Sequence, residues 1–335
     1  MSLIQLSTQN QEHAITHMFI AAGEMEAAKT LSSCALIFGI QIIAVDGGLY
    51  HCFEHKITPH YVIGDLDSVS RSHLTGLNIC KIHDRVSKTD LEFAVAHAKI
   101  DKNARAIIFG GLGSRADHSI NNLYLLAKYP LKLTCETGEE TIFAITEGCG
   151  EVTISTKKQA HLSLIPFYSY SGPSSLTYSK NKVTTHTLEQ GSLTITCESG
   201  CMLCIVSDKK LSSQYAFQNF LPSLFDAAIN GTTVFYDDDE IFTLSGERND
   251  VELLGKPGQM ISILPLMSRA EGVKINGLSH NVGAGYSEFN AHFLSLSNTF
   301  VNETATIDVT SGYIMIFMKR DDESTYDQQA ASLEL

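Results

Sequence analysis

The sequence predicts an α/β fold: a doubly wound, mostly parallel N-terminal sheet followed by an all-β sandwich region. Two patterns support this prediction. Up to about residue 130, short apolar strands alternate with helical stretches, as in a parallel sheet that is covered on both faces. Beyond that point, segments rich in Thr, Ser, Val and Ile recur between turn residues, which is typical of a β-sandwich or barrel.

The elements of the N-terminal half follow one another in a regular order. Each apolar strand ends at a glycine or an aspartate, and a helical stretch follows most of these turns. Because the strands alternate with helices, we expect their carboxyl ends to meet at one edge of the sheet. The predicted strands are His17–Ala22, Gln41–Val45, Tyr61–Ile63 and Ala106–Phe109. The predicted helices are Glu24–Cys34, Thr89–Ala98 and Asp117–Ala127.

The β-rich half contains an internal repeat, which we interpret as a duplicated β-domain. Leu162–Pro166 corresponds to Ile261–Pro265 at an offset of 99 residues, and Ser199-Gly200 corresponds to Ser311-Gly312 at an offset of 112. The second copy therefore carries 13 additional residues, the difference between the two offsets. We predict three domains: an α/β domain over 1–130, a first and degenerate β copy over 131–212, and a second β copy over 213–335.

Composition and charge exclude several classes of protein. The 335 residues include 37 Asp and Glu against 24 Lys and Arg, which gives a formal net charge of −13. Such an acidic chain is unsuited to the phosphate backbone of a nucleic acid. No apolar stretch is long enough to span a bilayer, and the N-terminus lacks the pattern of a signal peptide. We therefore expect a cytoplasmic protein with no nucleic-acid or membrane partner.

Acidic residues follow the ends of several predicted strands. Asp46 comes directly after the second strand, and Asp65 and Asp67 come after the third. Asp90 and Asp117 each open a predicted helix. Ligands of open α/β sheets bind beyond the carboxyl ends of the strands, and carboxylate oxygens suit a hard cation such as Mg²⁺ that also binds substrate phosphates. The aspartates are therefore candidate metal and phosphate-site residues.

Each of these motifs, taken alone, also has a purely structural explanation. The run Gly64–Ser68 could be a surface turn in which Asp and Ser side chains bond to the local backbone. Thr89 and Glu92 have the spacing of a capping box, and Asp117 could cap the following helix. From the residues alone, the structural and functional interpretations both remain open.

A glycine-rich turn leads from the fourth strand into the last predicted helix. Backbone N–H groups of the run Gly110–Asp117 could approach phosphate oxygens, although the Gly-Lys-Ser/Thr ending of a Walker loop is absent. Arg115 offers a rigid fork for a phosphate. His118 and Asn122 are four residues apart and so share one helix face. The turn is a candidate nucleotide site.

In combination, these motifs resemble those of the thiamine pyrophosphokinase family over roughly residues 15–320. The motifs of the N-terminal half are Asp46-Gly47-Gly48, Gly64–Ser68, Thr89–Glu92 and Ser114–His118 with Asn122. The motifs that look like the family's thiamine-binding β-domain are Ser262–Leu266, Gly277-Leu278 and Leu296–Asn298.

The resemblance implies a homodimer with active sites between subunits, in which the α/β domain binds ATP and Mg²⁺ and the β-domain binds thiamine. It assigns Mg²⁺ and the transferred phosphates to Asp65, Asp67 and Asp90, which together with Arg115 form the implied catalytic set. The implied ATP-site residues are Asp46, Lys88, Thr89, Arg115, Asp117, His118 and Asn122. The implied thiamine contacts are Ser297 and Asn298.

The implied reaction transfers diphosphate from ATP to the thiamine hydroxyl and gives thiamine diphosphate and AMP. Four positions depart from the family pattern: Tyr50, where the family often has Asn, Ser114, where it usually has Gly, and Val86 and Ser87, where it commonly has amide, basic or acidic residues. Two alternatives therefore stay open. One is a pyrophosphokinase for another hydroxymethyl heterocycle such as a pterin, and the other is a non-catalytic thiamine or nucleotide sensor.

Overall fold

A computed structural model gives the fold of the chain. The segments 83–87 and 267–269 and the single residue 114 lie outside the described residues, so the departures at Val86 and Ser87 cannot be placed on it. The described residues are 4–8, 11–12, 14–25, 27–82, 88–101, 103–113, 115–156, 159–167, 184–188, 191–197, 201–207, 217, 220–221, 223–224, 234–236, 239–245, 250–266, 270–280, 288–289 and 295–319.

The N-terminal half forms the doubly wound sheet that the sequence predicts. Its elements are β1 (Ile4–Thr8), β2 (Gln11–Glu12), β3 (Ala14–Ile20), α1 (Ala28–Ala35), β4 (Gln41–Val45), α2 (Gly48–Glu54), β5 (Tyr61–Gly64), β6 (Ile79–Lys81), α3 (Asp90–Ala98), β7 (Ala104–Phe109), α4 (Ala116–Lys128) and β8 (Leu133–Glu136). Strands β8, β7, β3, β4, β5 and β6 lie side by side in this order and run parallel. The strand order reverses between β3 and β7, which is where ligands bind in sheets of this kind.

Both faces of this sheet are covered, as the alternation along β3 illustrates. Met18 and Ile20 belong to the core on the side of α1 and α2, whereas Phe19 belongs to the core on the side of α3 and α4. All three side chains are fully buried. Strands that are buried on both faces carry apolar residues at every position, which is why the predicted strand positions agree well with the observed ones.

The sequence prediction missed several elements of this half, among them helix α2 and strand β6. Helix α2 begins at Gly48, the second glycine of a pair, and glycine disfavours helix by about 1 kcal/mol relative to alanine. Strand β6 has 3 residues, none of them fully buried. Local propensity gave no signal for either element, and both depend on packing against the sheet.

The main sheet continues beyond β8 into the first β unit, so that ten strands form one sheet. The first β unit consists of β9 (Glu140–Thr146), β10 (Glu151–Thr156), β11 (Ala160–Phe167), β12 (Thr184–Leu188), β13 (Gly191–Thr196) and β14 (Cys201–Ser207). Strand β9 pairs with β8 in antiparallel orientation, and β14, β11 and β12 follow in that order. Strands β10 and β13 form a second, smaller sheet together with β1 and β2.

The second β unit forms separate antiparallel sheets. Its strands are β15 (Val234–Tyr236), β16 (Asp239–Ser245), β17 (Asp250–Leu254), β18 (Met260–Pro265), β19 (Ala270–Glu271), β20 (Lys274–Asn276), β21 (Glu288–Phe289), β22 (Ser295–Thr299), β23 (Thr304–Asp308) and β24 (Tyr313–Lys319). One sheet has the order β15–β16–β24–β18–β22, and another has the order β17–β23–β20. The mixed α/β fold with its antiparallel β regions thus confirms the predicted fold class.

The strand pairings of the two β units share one register. Ile142 pairs with Ile205 in the first unit, and Ile241 pairs with Phe317 in the second, so the positions differ by 99 and 112 residues. The sequence repeat has the same two offsets. This correspondence is what a duplication would produce, while the duplication itself and the domain boundaries at 130 and 212 stay predictions.

Helix α4 lies in the core between the two β units. Every side chain from Ser119 to Ala127 is buried. One apolar cluster joins α4 to Ile165 of the first unit and to Leu264 of the second. The Tyr124 hydroxyl donates to the carbonyl oxygen of Pro265 at 2.6 Å, so this buried polar group is satisfied. Each buried Leu or Ile contributes roughly 1.5–3 kcal/mol, which makes this contact an integral part of the fold.

The described structure also bears on membrane-spanning helices and on the state of the cysteines. In the part of the chain that the structure describes, no helix has both the length and the apolar character needed to cross a membrane. The cysteines are free thiols, and Cys80 and Cys149 are partly exposed while the others are buried. Burial raises the pKa of Cys52 to about 12, which keeps this thiol protonated and unreactive.

Candidate active site

The loops that follow the parallel strands meet at one edge of the sheet, and glycines allow them to pack closely. A Cβ atom on Gly48 would lie 1.9 Å from the carbonyl oxygen of Ile20, so only glycine fits where the loop after β4 crosses the end of β3. A Cβ atom on Gly64 would lie 3.0 Å from the Cβ of Asp46. The Asp46 N–H donates to the carbonyl oxygen of Ile63 at 2.8 Å. These contacts bring Asp46 to the turn that follows β5.

Three carboxylates cluster at this edge. Asp46, Asp65 and Asp67 each have an oxygen within 4.8 Å of the others. The backbone turns sharply here, since Asp46 and Leu66 have φ values of 44° and 62°, which are uncommon for residues other than glycine. Such conformations cost free energy and are found preferentially at functional sites. Gly64, Asp46 and Leu66 together let the two aspartates of the Gly64–Ser68 turn converge with Asp46.

Asp90 adds a fourth carboxylate at the start of α3. Its pKa is raised to about 6, first by burial and then by the negative charges of Asp65, Asp46 and Asp67. A hydrogen bond from the backbone of Asp65 opposes this rise. Asp90 therefore lies close enough to the three other carboxylates that they repel its negative charge. This repulsion makes the ionised form of Asp90 less favourable.

The Asp46–Asp65–Asp67 cluster has the chemistry of a hard-cation site. Among the described residues, it is the one group of His, Cys, Asp or Glu side chains close enough to share an ion. The buried Oδ1 atom of Asp46 has no hydrogen-bond partner in the described part of the chain. A buried carboxylate oxygen without a donor is costly, and a cation with oxygen ligands would compensate it. The residues therefore fit Mg²⁺.

The helix that Asp90 opens is capped as the sequence predicts. The Thr89 hydroxyl accepts a hydrogen bond from the Glu92 N–H at 3.2 Å. The Glu92 carboxylate does not complete a capping box, because it is bonded to the Lys128 ammonium group at 2.7 Å and is buried. Thr89 and Glu92 thus have structural partners, and the exposed Lys88 precedes them at the same end of the helix.

A second polar cluster lies at the start of α4. Arg115 donates to both carboxylate oxygens of Asp117, through Nε at 3.1 Å and through Nη2. The Asp117 side chain is buried, and it also accepts from the Ser262 hydroxyl at 2.6 Å. The same Nη2 of Arg115 donates to the Ser297 hydroxyl at 2.9 Å. Side chains of the α/β domain and of the second β unit thus form one hydrogen-bonded network.

The charges in this network are mutually compensated. Burial by itself would raise the pKa of Asp117, but the charges of His118 and Arg115 and hydrogen bonds from Arg115 and Ser262 outweigh it and lower the pKa. Burial also lowers the pKa of His118, and Arg115 adds to this, while Asp117 opposes it. Asp117 is therefore ionised at neutral pH, and it holds the Arg115 guanidinium in a fixed orientation.

Ser297 has an unusual backbone conformation that directs it toward α4. Its φ is 54°, and the strand pairing between β18 and β22 is irregular between Ile261 and Ile263. The Ser297 N–H donates to the Ser262 hydroxyl at 2.9 Å. The Ser297 hydroxyl lies 3.4 Å from Nε2 of His118. The second β unit therefore brings a predicted thiamine-contacting residue next to predicted ATP-site residues.

Two predicted site residues use their amide groups inside the protein. Asn122 is buried, and its Nδ2 donates to the carbonyl oxygen of Gly111, which ties the glycine-rich turn to α4. Asn298 is 1% exposed, and its Oδ1 accepts from the Ser279 hydroxyl and from the His280 N–H at 2.8 and 3.0 Å. The structure thus gives both amides an organising role, and direct ligand contact by either stays a prediction.

Two further residues bear on the predicted site. Ser262 lies in one of the family motifs, but the sequence indicates no role for it, because its partner Asp117 is 145 positions away along the chain. Tyr50, the departure from the family pattern, is exposed, and its hydroxyl accepts from the Ser70 N–H at 3.3 Å. Its ring also makes an edge contact with His73. Tyr50 therefore belongs to the surface beside the carboxylate cluster.

Family models match the chain in two places. Residues 39–137 match the model described as thiamin pyrophosphokinase, catalytic domain, which spans the region from β4 to β8. Residues 248–314 match the model described as thiamin pyrophosphokinase, vitamin B1 binding domain, which lies on the second β unit. No protein of curated function matches the chain by sequence.

Three solved structures to which the chain is similar bear the name thiamine pyrophosphokinase in their descriptions. The thiamine pyrophosphokinase of Bacillus subtilis is 14% identical over 91% of this chain and 99% of its own, with a TM-score of 0.34. A probable thiamine pyrophosphokinase of Staphylococcus saprophyticus is 22% identical over 58% of this chain and 100% of its own, with a TM-score of 0.42. The yeast enzyme is 13% identical over 93% of this chain and 89% of its own, with a TM-score of 0.36. Both domain models of the thiamin pyrophosphokinase family thus match the chain, in order along the sequence.

Proposed function

We propose that this protein is an active thiamine pyrophosphokinase that uses ATP and Mg²⁺ and releases thiamine diphosphate and AMP. The observation that supports this most directly is the carboxylate cluster of Asp46, Asp65 and Asp67 at the carboxyl edge of the parallel sheet, with Asp90 beside it. Transfer of a diphosphate group depends on positioning and on the compensation of negative charge, and not on covalent help from the protein. The cluster and the Arg115 network together offer both.

The carboxylate cluster would hold the metal end of the nucleotide. Asp65, Asp67 and Asp90 would bind Mg²⁺ and orient the triphosphate, and Asp46 would contribute its unpartnered buried oxygen. Mg²⁺, when bound, would screen the negative charge of the phosphates. Asp67 is the exposed member of the cluster, and it would accept the proton of the thiamine hydroxyl as that oxygen attacks the β-phosphorus.

The network at the start of α4 would align the two substrates. Arg115 is held by Asp117, so its remaining N–H groups would bind phosphate oxygens without a large loss of side-chain entropy. Ser297 would contact thiamine from the side of the second β unit, the region that matches the vitamin B1 binding model. The same arrangement would keep the thiamine hydroxyl near the transferred group.

The decisive test is the reaction itself. Purified protein with ATP, thiamine and MgCl₂ is expected to form thiamine diphosphate and AMP in equal amounts, as measured by chromatography. Asp67→Asn removes a metal ligand and the proposed proton acceptor, so we expect kcat to fall at least about 1,000-fold, which corresponds to about 4 kcal/mol of transition-state stabilisation. A near wild-type rate for this variant would contradict the assignment.

The same assay separates the two alternatives. A panel in which a hydroxymethylpterin replaces thiamine tests the pyrophosphokinase for another heterocycle. Calorimetry with thiamine and with ATP tests the sensor, which would bind its ligand without releasing AMP. Glu54→Gln, a change in an exposed side chain on α2, is the matched acidic control and is expected to leave the rate unchanged.

A further inference from the structure

We propose that a single chain completes the candidate site by itself, because its second β unit docks on its own α4 and Ser262 joins the two halves. The family resemblance implies sites between two subunits, with one subunit supplying the α/β domain and the other the β-domain. Here the region that matches the vitamin B1 binding model contacts the start of α4 within the same chain. The second β unit therefore acts as an internal partner.

A polar contact, here called the polar joint, connects α4 with the second β unit through Arg115, Asp117, Ser262 and Ser297. Ser262 uses its hydroxyl twice, because it donates to Oδ2 of Asp117 at 2.6 Å and accepts from the Ser297 N–H at 2.9 Å. Arg115 closes the ring by donating to both Asp117 and Ser297. Ser262 is 1% exposed and Asp117 is 3% exposed, so the bond between these two side chains is shielded from water. Removing either of them would leave a buried polar atom without its partner.

An apolar contact between α4 and the second β unit accompanies the polar joint. Leu264, Leu266 and Phe317 of the second unit belong to the same apolar cluster as Leu123 of α4. All four are nearly or fully buried within one chain. An interface that forms only on dimerisation would leave this surface of α4 open in the isolated chain. The burial instead resembles the interior of one domain.

The described residues of the segment that connects the two β units also belong to this core. Phe217, Phe220 and Leu224 lie between the two β units in sequence, and they belong to the same cluster that joins α4 to the second unit. The Phe217 N–H donates to the carboxylate of Glu140, at the start of β9, at 3.1 Å. The described residues of the connection are therefore fastened to the first unit. This fastening keeps the second unit close to the α4 of its own chain.

A cross-linking experiment tests the docking without any need for activity. His118→Cys and Ser297→Cys are introduced together, because the native side chains approach to 3.4 Å, and the full-length protein is treated with a short bifunctional thiol reagent. We expect a cross-link between the two new cysteines in a product with the mass of one chain. Each single variant controls for Cys80 and Cys149, the partly exposed native thiols. A product with the mass of two chains, or no linkage between these positions, would overturn the proposal.

A kinetic arm tests Ser262 as the positioning residue, and this arm, unlike the cross-linking, rests on the proposed function. Ser262 pairs with Phe317 as Ser163 of the first unit pairs with Ile205, so the two serines occupy equivalent positions and both are buried. We expect Ser262→Ala to lower kcat/KM for thiamine at least tenfold, and Ser163→Ala to change it less than twofold, at similar melting temperatures. Equal kinetic effects of the two changes would contradict the role of Ser262.

The cross-linking and kinetic experiments distinguish a failure of the proposed function from a failure of the single-chain site. If wild-type protein forms no thiamine diphosphate, the proposed function fails, while the mass of the cross-linked product still decides whether docking occurs within one chain. If the wild-type protein is active but the cross-link joins two chains, the proposed function stands and the single-chain site is wrong. Mixing Asp65→Asn with Ser297→Ala protein gives a further check, since sites formed within one chain cannot regain activity by exchange.

Discussion

The two polar clusters at the edge of the sheet surround their carboxylates with opposite charges, so that the pKa of Asp90 is raised and that of Asp117 is lowered. The four carboxylates of the first cluster carry one sign of charge, and burial with mutual repulsion raises the pKa of Asp90 to about 6. The second cluster pairs Asp117 with Arg115 and satisfies the remaining oxygens with Ser262 and the His118 N–H. The first cluster thus gathers carboxylates of one sign of charge, whereas the second is complete in the protein alone, because Asp117 has its hydrogen-bond partners there.

This difference indicates how the two clusters would contribute to a reaction. A site that must bind and release a metal–nucleotide complex benefits from carboxylates of one sign of charge held close together, because a bound cation then relieves their mutual repulsion. A site that must orient a transferred group benefits from side chains that are already fixed. The same contrast predicts opposite effects on stability when a carboxylate is removed from each cluster.

The largest effect is expected for Asp117→Ala in the complete cluster. Removing one partner of a buried ion pair leaves the Arg115 guanidinium without its acceptor and the Ser262 hydroxyl without its bond. We expect a loss of about 3 kcal/mol in the free energy of unfolding at pH 7, measured by urea denaturation. The exposed pair of His51 and Glu54 provides the control, since Glu54→Ala should cost less than about 0.5 kcal/mol. Equal losses would contradict the buried network.

The sequence predicted the carboxylate cluster more completely than the network at α4. The aspartates follow strands whose apolar runs are unambiguous, and parallel strands bring their carboxyl ends together, so Asp46, Asp65 and Asp67 could be grouped from local pattern alone. Ser262 could not be found in this way. Its partner lies in another domain, and only the docking of the second β unit brings the two side chains into contact.

The fold shows the same division between local and long-range information. Strand β4 has the bounds that its apolar run predicts. Strands that are buried on both faces are apolar at nearly every position, and this makes them recognisable in a sequence. Helix α2 was missed, since its glycine pair opposes helix and its stability comes from packing of Leu49 and Cys52 under the sheet. The continuation of the parallel sheet into the first β unit also depends on a pairing, between β8 and β9, that no local pattern specifies.

The next effect concerns the cluster of Asp46, Asp65 and Asp67 and the cation that we propose it binds. Adding MgCl₂ to metal-free protein is expected to raise the free energy of unfolding by about 1.4 kcal/mol at ten times the dissociation constant, because the ion binds only the folded cluster. The rise should be absent in Asp65→Asn, which removes one of the three converging carboxylates. NaCl at the same ionic strength controls for general screening. An unchanged rise in Asp65→Asn would place the ion elsewhere.

The smallest effect, and the one with the most informative sign, is expected for Asp90→Asn. The folded-state pKa of Asp90 is about 6 and the ordinary value is 3.8, so ionised Asp90 opposes folding at neutral pH. Because the side chain is only partly buried, we expect a gain of about 1 kcal/mol for metal-free Asp90→Asn at pH 7. The gain should be fully present above pH 6 and should disappear toward pH 4, where wild-type Asp90 is protonated in the folded state.

Thermal unfolding of wild-type and Asp90→Asn protein in a metal chelator, followed from pH 4 to pH 8, measures this difference directly. Asp101→Asn serves as the control, since Asp101 is exposed and its replacement should leave the melting temperature unchanged at every pH. A destabilised Asp90→Asn protein at pH 7 would show that the α3 N-terminus stabilises the carboxylate more than its neighbours repel it. The stabilised variant should also lose its response to MgCl₂, because the charge that opposes folding is the charge that would bind the cation.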